Sequence, residues 1–195
     1  MSLKIGIAGP VGSGKTSLIE SLTNILKDKY SLAIVTNDIY TTEDANYLKR
    51  TLDLDEKRII GVETGGCPHT AIRDDISMNQ KAVRELEEKF NPDITFVESG
   101  GDNLSATFSY ELIDYYMYVI DVAQGADIPR KKGAGLLFSD LLVVNKTDLA
   151  QYVGVDLVSM KSDVDNNRKN KPSVFISNKD EKSLNQVVSW IEALL

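Results

Sequence analysis

The sequence predicts an α/β fold in which helices cover both faces of a mostly parallel central sheet. Short apolar runs typical of buried strands alternate with segments whose apolar residues recur at helical spacing. Three runs, at residues 94–97, 116–120 and 141–144, are continuously apolar, as expected for strands that are covered on both faces. Strands that alternate with helices favour parallel pairing through helical crossovers.

The first part of the chain is predicted to contain three strands and two helices. The strands, at residues 4–8, 32–35 and 58–63, are short apolar runs. A helix is predicted at residues 15–29, because leucine and isoleucine recur there every three or four positions. A second helix is predicted at residues 41–52, where a capping-box pattern marks its start.

The remaining segments predict one long helix, a last strand and a C-terminal helix. The long helix should end before the Asn-Pro pair at residues 91–92, because proline disfavours helical backbone in the residue that precedes it. The last strand is predicted at residues 174–176 and an amphipathic helix at residues 184–194. The polar stretch at residues 161–171 is interpreted as a solvent-exposed helix or loop without a particular role. No linker or repeat separates these elements, so a single domain over residues 1–195 is predicted.

Composition and charge exclude several classes of partner. The formal net charge of −7 argues against binding to nucleic acid or to an anionic membrane surface, since both require basic patches. No apolar run approaches the roughly 20 residues that span a bilayer. Residues 1–4 lead directly into a predicted strand, so no signal peptide is expected. A single cysteine cannot form an internal disulfide, and a cytoplasmic location is therefore predicted.

Residues 9–16 match the phosphate-binding pattern G-x-x-x-x-G-K-[ST] and lie between a predicted strand and a predicted helix, which indicates a P-loop NTPase fold. Glycines let backbone N–H groups face the phosphates, and the helix N-terminus adds the positive end of its dipole. Lys15 is expected to neutralise the β- and γ-phosphates, and the Thr16 hydroxyl to bind Mg²⁺. The alternative is a glycine turn without a ligand. The expected nucleotide contacts in this segment are Gly9, Gly12, Ser13, Gly14, Lys15, Thr16 and Ser17.

A guanine-reading tetrapeptide, Asn145-Lys146-Thr147-Asp148, directly follows the predicted strand at residues 141–144. Guanine presents its N1–H and N2–H₂ groups as donors, and the Asp148 carboxylate can accept from both. Adenine lacks this donor pair and would leave the carboxylate unpaired, at a cost of about 2 kcal/mol or more. Lys146 is expected to pack its stem on the base and Asn145 to brace the loop. The sequence therefore predicts GTP and GDP as ligands.

A second polar tripeptide, Ser-Asn-Lys at residues 177–179, follows the last predicted strand and has two interpretations. Asn178 could make a second contact to the base. The tripeptide could equally be an ordinary polar turn.

Two carboxylates, Asp38 and Glu98, come directly after predicted strands of the central sheet. Ligands bind at the carboxyl ends of strands in an open parallel sheet, so both side chains should face the nucleotide. We expect Asp38 to bind Mg²⁺ or to orient the attacking water, and Glu98 to belong to the Mg²⁺ shell, directly or through water. Either could instead cap a helix, and Glu63 is a weaker candidate for the same cluster.

The expected catalytic set is Lys15, Asp38 and Glu98. Residues 98–101 have the spacing of the Asp-x-x-Gly segment that senses the γ-phosphate in GTPases, with glutamate in place of aspartate. No glutamine that could position the attacking water follows Gly101. The sequence therefore predicts hydrolysis that is slow in isolation and accelerated by a partner or by dimerisation.

The single cysteine, Cys67, and the single histidine, His69, are separated only by Pro68. A thiolate and an imidazole suit Ni²⁺, Zn²⁺ or Cu. One chain supplies only half of the four ligands that a closed site requires, whereas a two-fold dimer would supply an N₂S₂ set. That set fits square-planar Ni²⁺ or tetrahedral Zn²⁺. The alternative is a buried structural cysteine beside a helix-capping histidine.

Over almost its whole length the chain resembles the UreG-type urease accessory GTPases, which belong to the SIMIBI class of P-loop proteins. The resemblance implies GTP-driven dimerisation around Ni²⁺ held by Cys67 and His69 of both chains. It also implies handover of the metal to apo-urease together with other urease accessory proteins. The segments that resemble the family are the P-loop, residues 35–44, 63–75, 98–104 and 139–148, of which Cys67-Pro68-His69 is the most specific part.

Three other functions share part of this pattern. A hydrogenase-type nickel-insertion GTPase belongs to the same class of P-loop proteins and binds the same metal. Such a protein should have an extended set of Cys and His residues, which this sequence lacks. A P-loop small-molecule kinase should lack the guanine tetrapeptide and have a substrate lid. A passive metal-binding module with a vestigial nucleotide site is disfavoured by the intact Lys15, Thr16 and Asp148.

Overall fold

The structure, a computed structural model, describes residues 2–66, 68–101, 104–169 and 171–195. Its centre is a seven-stranded sheet in the order β3-β2-β4-β1-β5-β6-β7, and every neighbouring pair is parallel. This confirms the predicted α/β class of the P-loop NTPase type, with a sheet that is wholly parallel. The strands are β1 Leu3–Ala8, β2 Leu32–Asp38, β3 Ile59–Glu63, β4 Ile94–Glu98, β5 Tyr115–Asp121, β6 Leu141–Asn145 and β7 Ser173–Phe175.

Helices pack on both faces of the sheet and enclose two hydrophobic cores. Leu18, Leu48 and Val187 belong to the core on one face, and Val83, Leu136 and Val164 to the core on the other. Within the described ranges, no helix is long and apolar enough to cross a lipid bilayer. The helices are α1 Lys15–Leu26, α2 Glu43–Thr51, α3 Pro68–Arg73, α4 Ser77–Phe90, α5 Ala134–Phe138, α6 Leu157–Arg168 and α7 Glu181–Glu192.

Strand register places polar strand ends side by side. Thr36 lies opposite Glu98 across β2 and β4, and Asp121 lies opposite Asn145 across β5 and β6. Because all strands are parallel, these residues lie together at the carboxyl ends of the strands, beside the loop that follows β1.

Two helices, α3 and α4, follow β3, where the sequence predicted one long helix. The backbone N–H groups of Asp74 and Asp75 both donate to the carbonyl of Thr70, at 2.9 and 2.8 Å, and this closes α3. The Asp75 carboxylate then accepts from the Ser77 hydroxyl at 2.7 Å at the start of α4. The predicted long helix is α4, which ends at Phe90 before the Asn-Pro pair. The short helix α3 was not predicted, because apolar spacing does not register such a side-chain cap.

The polar stretch at residues 161–171 also differs from expectation, because it includes the end of α6 and a buried arginine. Arg168 is 3% exposed. Its guanidinium donates to the carbonyls of Leu136, Ser139 and Pro172 and to the Ser139 hydroxyl. Burial lowers the pKa of Arg168 to about 10. Arg168 therefore ties α6 to the segment between α5 and β6, a structural role that the composition of the stretch did not indicate.

Candidate functional site

The loop at residues 9–16 connects β1 to α1 and depends on glycine at two points. Gly9 has φ 147°, and a Cβ placed there would lie 2.0 Å from the carbonyl oxygen of Val119. Gly14 has φ 92°, and its Cβ would lie 2.5 Å from Nδ2 of Asn145. Residues with side chains rarely adopt these backbone angles, and here the space is also filled. The glycines therefore bring the loop close to β5 and β6.

A cavity of about 540 Å³, here named the phosphate cavity, lies beside this loop at the carboxyl ends of β1, β2 and β4. Lys15 is largely buried in its wall, and its Nζ donates to the Pro10 carbonyl at 3.3 Å. The lining residues are Val11, Gly12, Gly14, Lys15, Thr16, Ser17, Asp38, Asp44, Tyr47, Glu98, Gly100 and Gly101.

Glu98 is the most strongly perturbed carboxyl of the phosphate cavity. The Thr16 hydroxyl donates to its Oε1 at 2.7 Å, and the residue is 1% exposed. Its Oε2 is buried without a hydrogen-bond partner among the described residues. Burial raises the pKa of Glu98 to about 7; Asp44 and Asp38 raise it further, while Lys15 and the Thr16 bond oppose the rise. The Glu98 carboxyl therefore carries a proton that a bound cation would readily displace.

Asp38 lies at the end of β2 and lines the phosphate cavity. Its Oδ1 accepts from the Ile39 backbone N–H at 2.6 Å, and its Oδ2 accepts from the Thr41 hydroxyl at 3.3 Å. Glu63, the weaker candidate, ends β3 but is exposed and does not line the cavity. The structure therefore brings Asp38 and Glu98 together and leaves Glu63 outside.

A second cavity of about 330 Å³, here named the base cavity, adjoins the first and shares Gly14 and Ser17 with it. Asp148 lies in its wall, where Oδ1 accepts from the Ser177 hydroxyl at 2.8 Å and Oδ2 lies 3.5 Å from Nζ of Lys179. The Ser177 bond, with help from Lys179, lowers the pKa of Asp148 below its ordinary value. The carboxylate is therefore charged and fixed in orientation, as a guanine reader requires.

Asn145 and Lys146 connect the two loops directly. Nδ2 of Asn145 donates to the Ser13 carbonyl at 3.0 Å, the bracing contact expected from the sequence. Nζ of Lys146 donates to the Gly12 carbonyl at 2.5 Å and pairs with the buried carboxylate of Asp121 at 3.3 Å. Lys146 thus reaches across the base cavity towards the P-loop.

Asn178 also contacts the P-loop segment. Its Nδ2 donates to the Ser17 hydroxyl oxygen at 3.1 Å, and Asn178 and Ser177 both line the base cavity. The turn at residues 177–179 is therefore part of the cavity wall and holds it against α1.

The cysteine of the Cys-Pro-His motif, Cys67, lies outside the described residues. His69 is half-buried on α3. The preceding segment is tied to the end of β2, because the Thr64 N–H donates to the Asp38 carbonyl at 2.9 Å and the Gly65 N–H to the Ile39 carbonyl at 3.0 Å. Within the part of one chain that the structure describes, no three His, Asp or Glu side chains group closely enough to hold a metal ion.

Comparison with known proteins identifies the family. The model of the CobW/HypB/UreG nucleotide-binding domain matches residues 3–175. The chain is 88% identical to urease accessory protein UreG of Aliarcobacter butzleri (strain RM4018) over 195 residues, which is 100% of both chains. The chain belongs to the UreG family of urease accessory proteins. It is also 60% identical to UreG of Corynebacterium urealyticum (strain ATCC 43042 / DSM 7109) over 190 residues, which is 97% of this chain and 93% of the relative.

Solved structures share the fold of this UreG-family chain. HypB from Helicobacter pylori in complex with nickel superposes with a TM-score of 0.82 at 23% identity, over 98% of this chain and 86% of that one. The hydrogenase maturation factor HypB from Archaeoglobus fulgidus gives a TM-score of 0.79 at 22% identity, over 99% and 90% of the two chains. At this identity the likeness shows the fold alone.

Sequence reasoning missed two carboxylates of this UreG-family site. Asp121 ends β5 and is 2% exposed, and it was available to the same strand-end argument that found Asp38 and Glu98. Asp44 lies in the first turn of α2 and lines the phosphate cavity. Its position on a helix gave no signal, because the turn that brings α2 over the cavity depends on tertiary packing.

Glu98 is expected to make the metal-free protein less stable as the pH rises towards neutrality. Its pKa is raised from 4.5 to about 7, so between these values the folded chain keeps a proton that the unfolded chain has lost. The protonated Glu98 contributes about 3 kcal/mol to the free energy of unfolding. This contribution is fully present below the unfolded pKa and is lost as the pH rises through the folded pKa. In EDTA, the melting temperature of Glu98→Gln minus that of wild type should therefore increase as the pH rises from about 5 to about 8.

The matched control is Glu88→Gln, the same change at an exposed position on α4. Its melting temperature should run parallel to that of wild type across the same pH range. A constant difference between wild type and Glu98→Gln would contradict the raised pKa.

Proposed function

We propose that this chain is a GTP-dependent nickel chaperone, a single cytoplasmic domain over residues 1–195 that binds and hydrolyses GTP to drive nickel delivery to apo-urease. The observation that best supports this is the pair of adjoining cavities that share Gly14 and Ser17. A nucleoside triphosphate lying across them would place its phosphates against the P-loop and its base beside Asp148. Membership of the UreG family supports urease as the recipient and other urease accessory proteins as partners.

The phosphates would be bound by backbone N–H groups of the P-loop, at Gly9, Gly12 and Ser13, and by the Lys15 ammonium group. The Lys15 ammonium donates only to a carbonyl at 3.3 Å among its hydrogen bonds to described residues, so it can turn to an anionic phosphate at little cost. The first turn of α1 directs its N–H groups at the same point. This set of donors would stabilise the negative charge that moves between the β- and γ-phosphates during hydrolysis.

The donor chemistry of the phosphate cavity fits Mg²⁺, which prefers oxygen ligands and retains several waters. The Thr16 hydroxyl and the carboxylates of Asp38, Asp44 and Glu98 line the cavity, and Oε2 of Glu98 has no donor among the described residues. We assign Thr16, Asp38 and Glu98 to this shell. Bound Mg²⁺ would supply positive charge to the β- and γ-phosphates.

The base would be selected by Asp148. Its carboxylate is fixed by Ser177 and is ionised, so it can accept from N1–H and N2–H₂ of guanine together. Asn145, Lys146 and Asn178 would act as positioning residues that hold the base loop against the P-loop.

Hydrolysis would be slow in the isolated chain. Asp38 is the candidate for orienting the attacking water, and its bonds to Ile39 and Thr41 hold its carboxylate in the present orientation. A partner or a second copy would have to reorganise this loop before water could be positioned well. This agrees with a switch whose hydrolysis is triggered on assembly.

Nickel would be held as cargo by Cys67 and His69. Each chain offers one thiolate and one imidazole, so two chains related by a two-fold axis would complete a four-ligand site. The same N₂S₂ set could take Zn²⁺ in competition. A shared site makes metal binding and dimerisation one event, which the nucleotide would then control.

Relatives that are 58–88% identical are urease accessory proteins, whereas the solved hydrogenase factors are 22–23% identical. This difference favours urease over the hydrogenase-type alternative. The Asp148 carboxylate, which is exposed to the base cavity and fixed by Ser177, likewise favours a GTPase over a small-molecule kinase.

Size-exclusion chromatography of the full chain with Ni²⁺ and a non-hydrolysable GTP analogue tests the shared site. Wild type is expected to elute as a dimer only when both are present, and the dimer should contain about one nickel ion per two chains. Cys67→Ala should elute as a monomer under all conditions, because it removes half of the ligands.

Thr70→Ala is the matched control, since Thr70 is an exposed neighbour of His69 on α3. It should dimerise like wild type. A wild type that stays monomeric with both ligands, or a Cys67→Ala variant that dimerises normally, would contradict the proposal. Repeating the series with Zn²⁺ shows which metal the site prefers.

A further inference from the structure

A pair of buried asparagines lies between the phosphate cavity and α3. Asn79 on α4 is 0% exposed and Asn37 on β2 is 1% exposed. Nδ2 of Asn79 donates to Oδ1 of Asn37 at 2.7 Å and to the carbonyl of Ala71 at 2.9 Å. Buried amides are costly unless such bonds are made, so these contacts fix the pair in one arrangement. Ala71 lies on α3, two positions beyond His69.

The other end of the pair reaches the phosphate cavity. Nδ2 of Asn37 donates to the backbone carbonyl of Glu98 at 3.0 Å. The side chain of the same glutamate accepts from the Thr16 hydroxyl at 2.7 Å. An unbroken series of direct contacts therefore runs from Thr16 through Glu98, Asn37 and Asn79 to α3.

We propose that Asn37 and Asn79 are positioning residues that couple the nucleotide site to α3, and so set the placement of the Cys-Pro-His motif according to the bound nucleotide. The inference rests on the proposed GTP and nickel functions. When the Thr16 hydroxyl and the Glu98 carboxylate both turn to the nucleotide-bound cation, the hydrogen bond between them is lost and the end of β4 is held by a new partner. The amide pair transmits that change because packed interiors exchange between discrete arrangements and do not deform continuously.

A structural role alone is the competing explanation, since the pair also holds α3 and α4 onto the sheet. The two explanations differ in one respect. A structural tie affects stability in every nucleotide state, whereas a coupling element affects how far nucleotide binding alters α3.

The chain offers a direct probe of α3, because His69 is its single histidine and gives one imidazole signal in the proton–carbon NMR spectrum. Saturating Mg²⁺ and guanylyl imidodiphosphate, without nickel, should shift this signal in wild type. In Asn79→Ala the shift should fall to less than about half, although the analogue still binds. Asn79→Leu, which fills the space left by the amide, provides a second variant if the alanine protein folds poorly.

Nickel affinity supplies an independent measurement. The analogue is expected to change the Ni²⁺ dissociation constant of wild type by a factor in the range of about 5 to 150. In Asn79→Ala that factor should come within about twofold of one. The informative quantity is the ratio of the Ni²⁺ dissociation constants measured with and without the analogue. A purely structural defect would change both constants by the same factor.

Thr95→Val is the matched control. Thr95 lies on β4, is 0% exposed, and shares a buried hydrogen bond of 2.9 Å with Ser2 at the opposite end of the strand from Glu98. The variant should lower the melting temperature and keep the full His69 shift.

Three results would overturn the coupling. The first is a full His69 shift in both Asn79 variants with bound analogue. The second is a loss of shift in Thr95→Val that equals the loss in Asn79→Ala. The third is a wild type that binds the analogue without any change at His69, which leaves the proposed GTP function standing. A wild type that does not bind the analogue would overturn the proposed function itself, and the coupling with it.

Discussion

Replacing Asp148 by asparagine is expected to lower the affinity for GTP by about 100-fold or more, because two hydrogen bonds to a charged acceptor are lost. The amide also places an N–H donor opposite a guanine donor. Xanthine has a carbonyl oxygen at that position, so the same amide can donate to it while its oxygen accepts from N1–H. The variant should therefore prefer xanthosine triphosphate. Competition against a fluorescent GTP analogue measures both affinities.

The control for this substitution is Asp156→Asn, the same change at the N-cap of α6. The Asp156 carboxylate accepts from the N–H groups of Val158 and Ser159 and does not line either cavity. It should lose some stability and keep its preference for guanine. An Asp148→Asn variant that still prefers GTP would refute the assignment of Asp148 as the base reader.

Replacing Lys15 by alanine is expected to reduce single-turnover GTP hydrolysis by about 100- to 1,000-fold, the cost of removing one preorganised donor from the reacting phosphates. Lys15 is 7% exposed and lines the phosphate cavity. A cation from the solvent therefore cannot readily replace its ammonium group. In a urease-producing cell that lacks its own UreG-type protein, wild type should restore urease activity with nickel, and Lys15→Ala should not.

Lys27→Ala removes a lysine just beyond the opposite end of α1, where Nζ pairs with Asp53 at 3.1 Å. This control should hydrolyse GTP and support urease at wild-type levels. Equal hydrolysis by Lys15→Ala and wild type would show that the measured activity arises elsewhere.

The parts of the fold that could be predicted were those in which local chemistry decides the outcome. Continuous apolar runs identified β4, β5 and β6 because both faces of these strands are covered. The P-loop and the base tetrapeptide were evident because their chemistry depends on a fixed order of residues. Asp38 and Glu98 could be assigned to one cavity because parallel strands end together.

The parts that could not be predicted depend on contacts between distant segments. Asn79 contacts Asn37, 42 positions away, and nothing in the spacing of α4 distinguishes it from a surface asparagine. Arg168 likewise makes no ion pair with a carboxylate of the described residues; its guanidinium donates to carbonyls 29 and 32 positions away. The short helix α3 was missed because backbone bonds to Thr70 and a side-chain cap at the start of α4, and not a glycine or proline, separate it from α4.

The order of strands separates the P-loop from the segment that leads to the Cys-Pro-His motif. The P-loop follows β1 at the middle of the sheet, whereas β3, which leads to the Cys-Pro-His motif, is one of its two edge strands. With neighbouring strands about 4.8 Å apart, three spacings put β3 about 14 Å from β1. In the proposed dimer, a partner chain would therefore approach from the side of β3 without opening the phosphate cavity. In the proposed function, GTP and nickel would then be bound and released on different sides of the molecule.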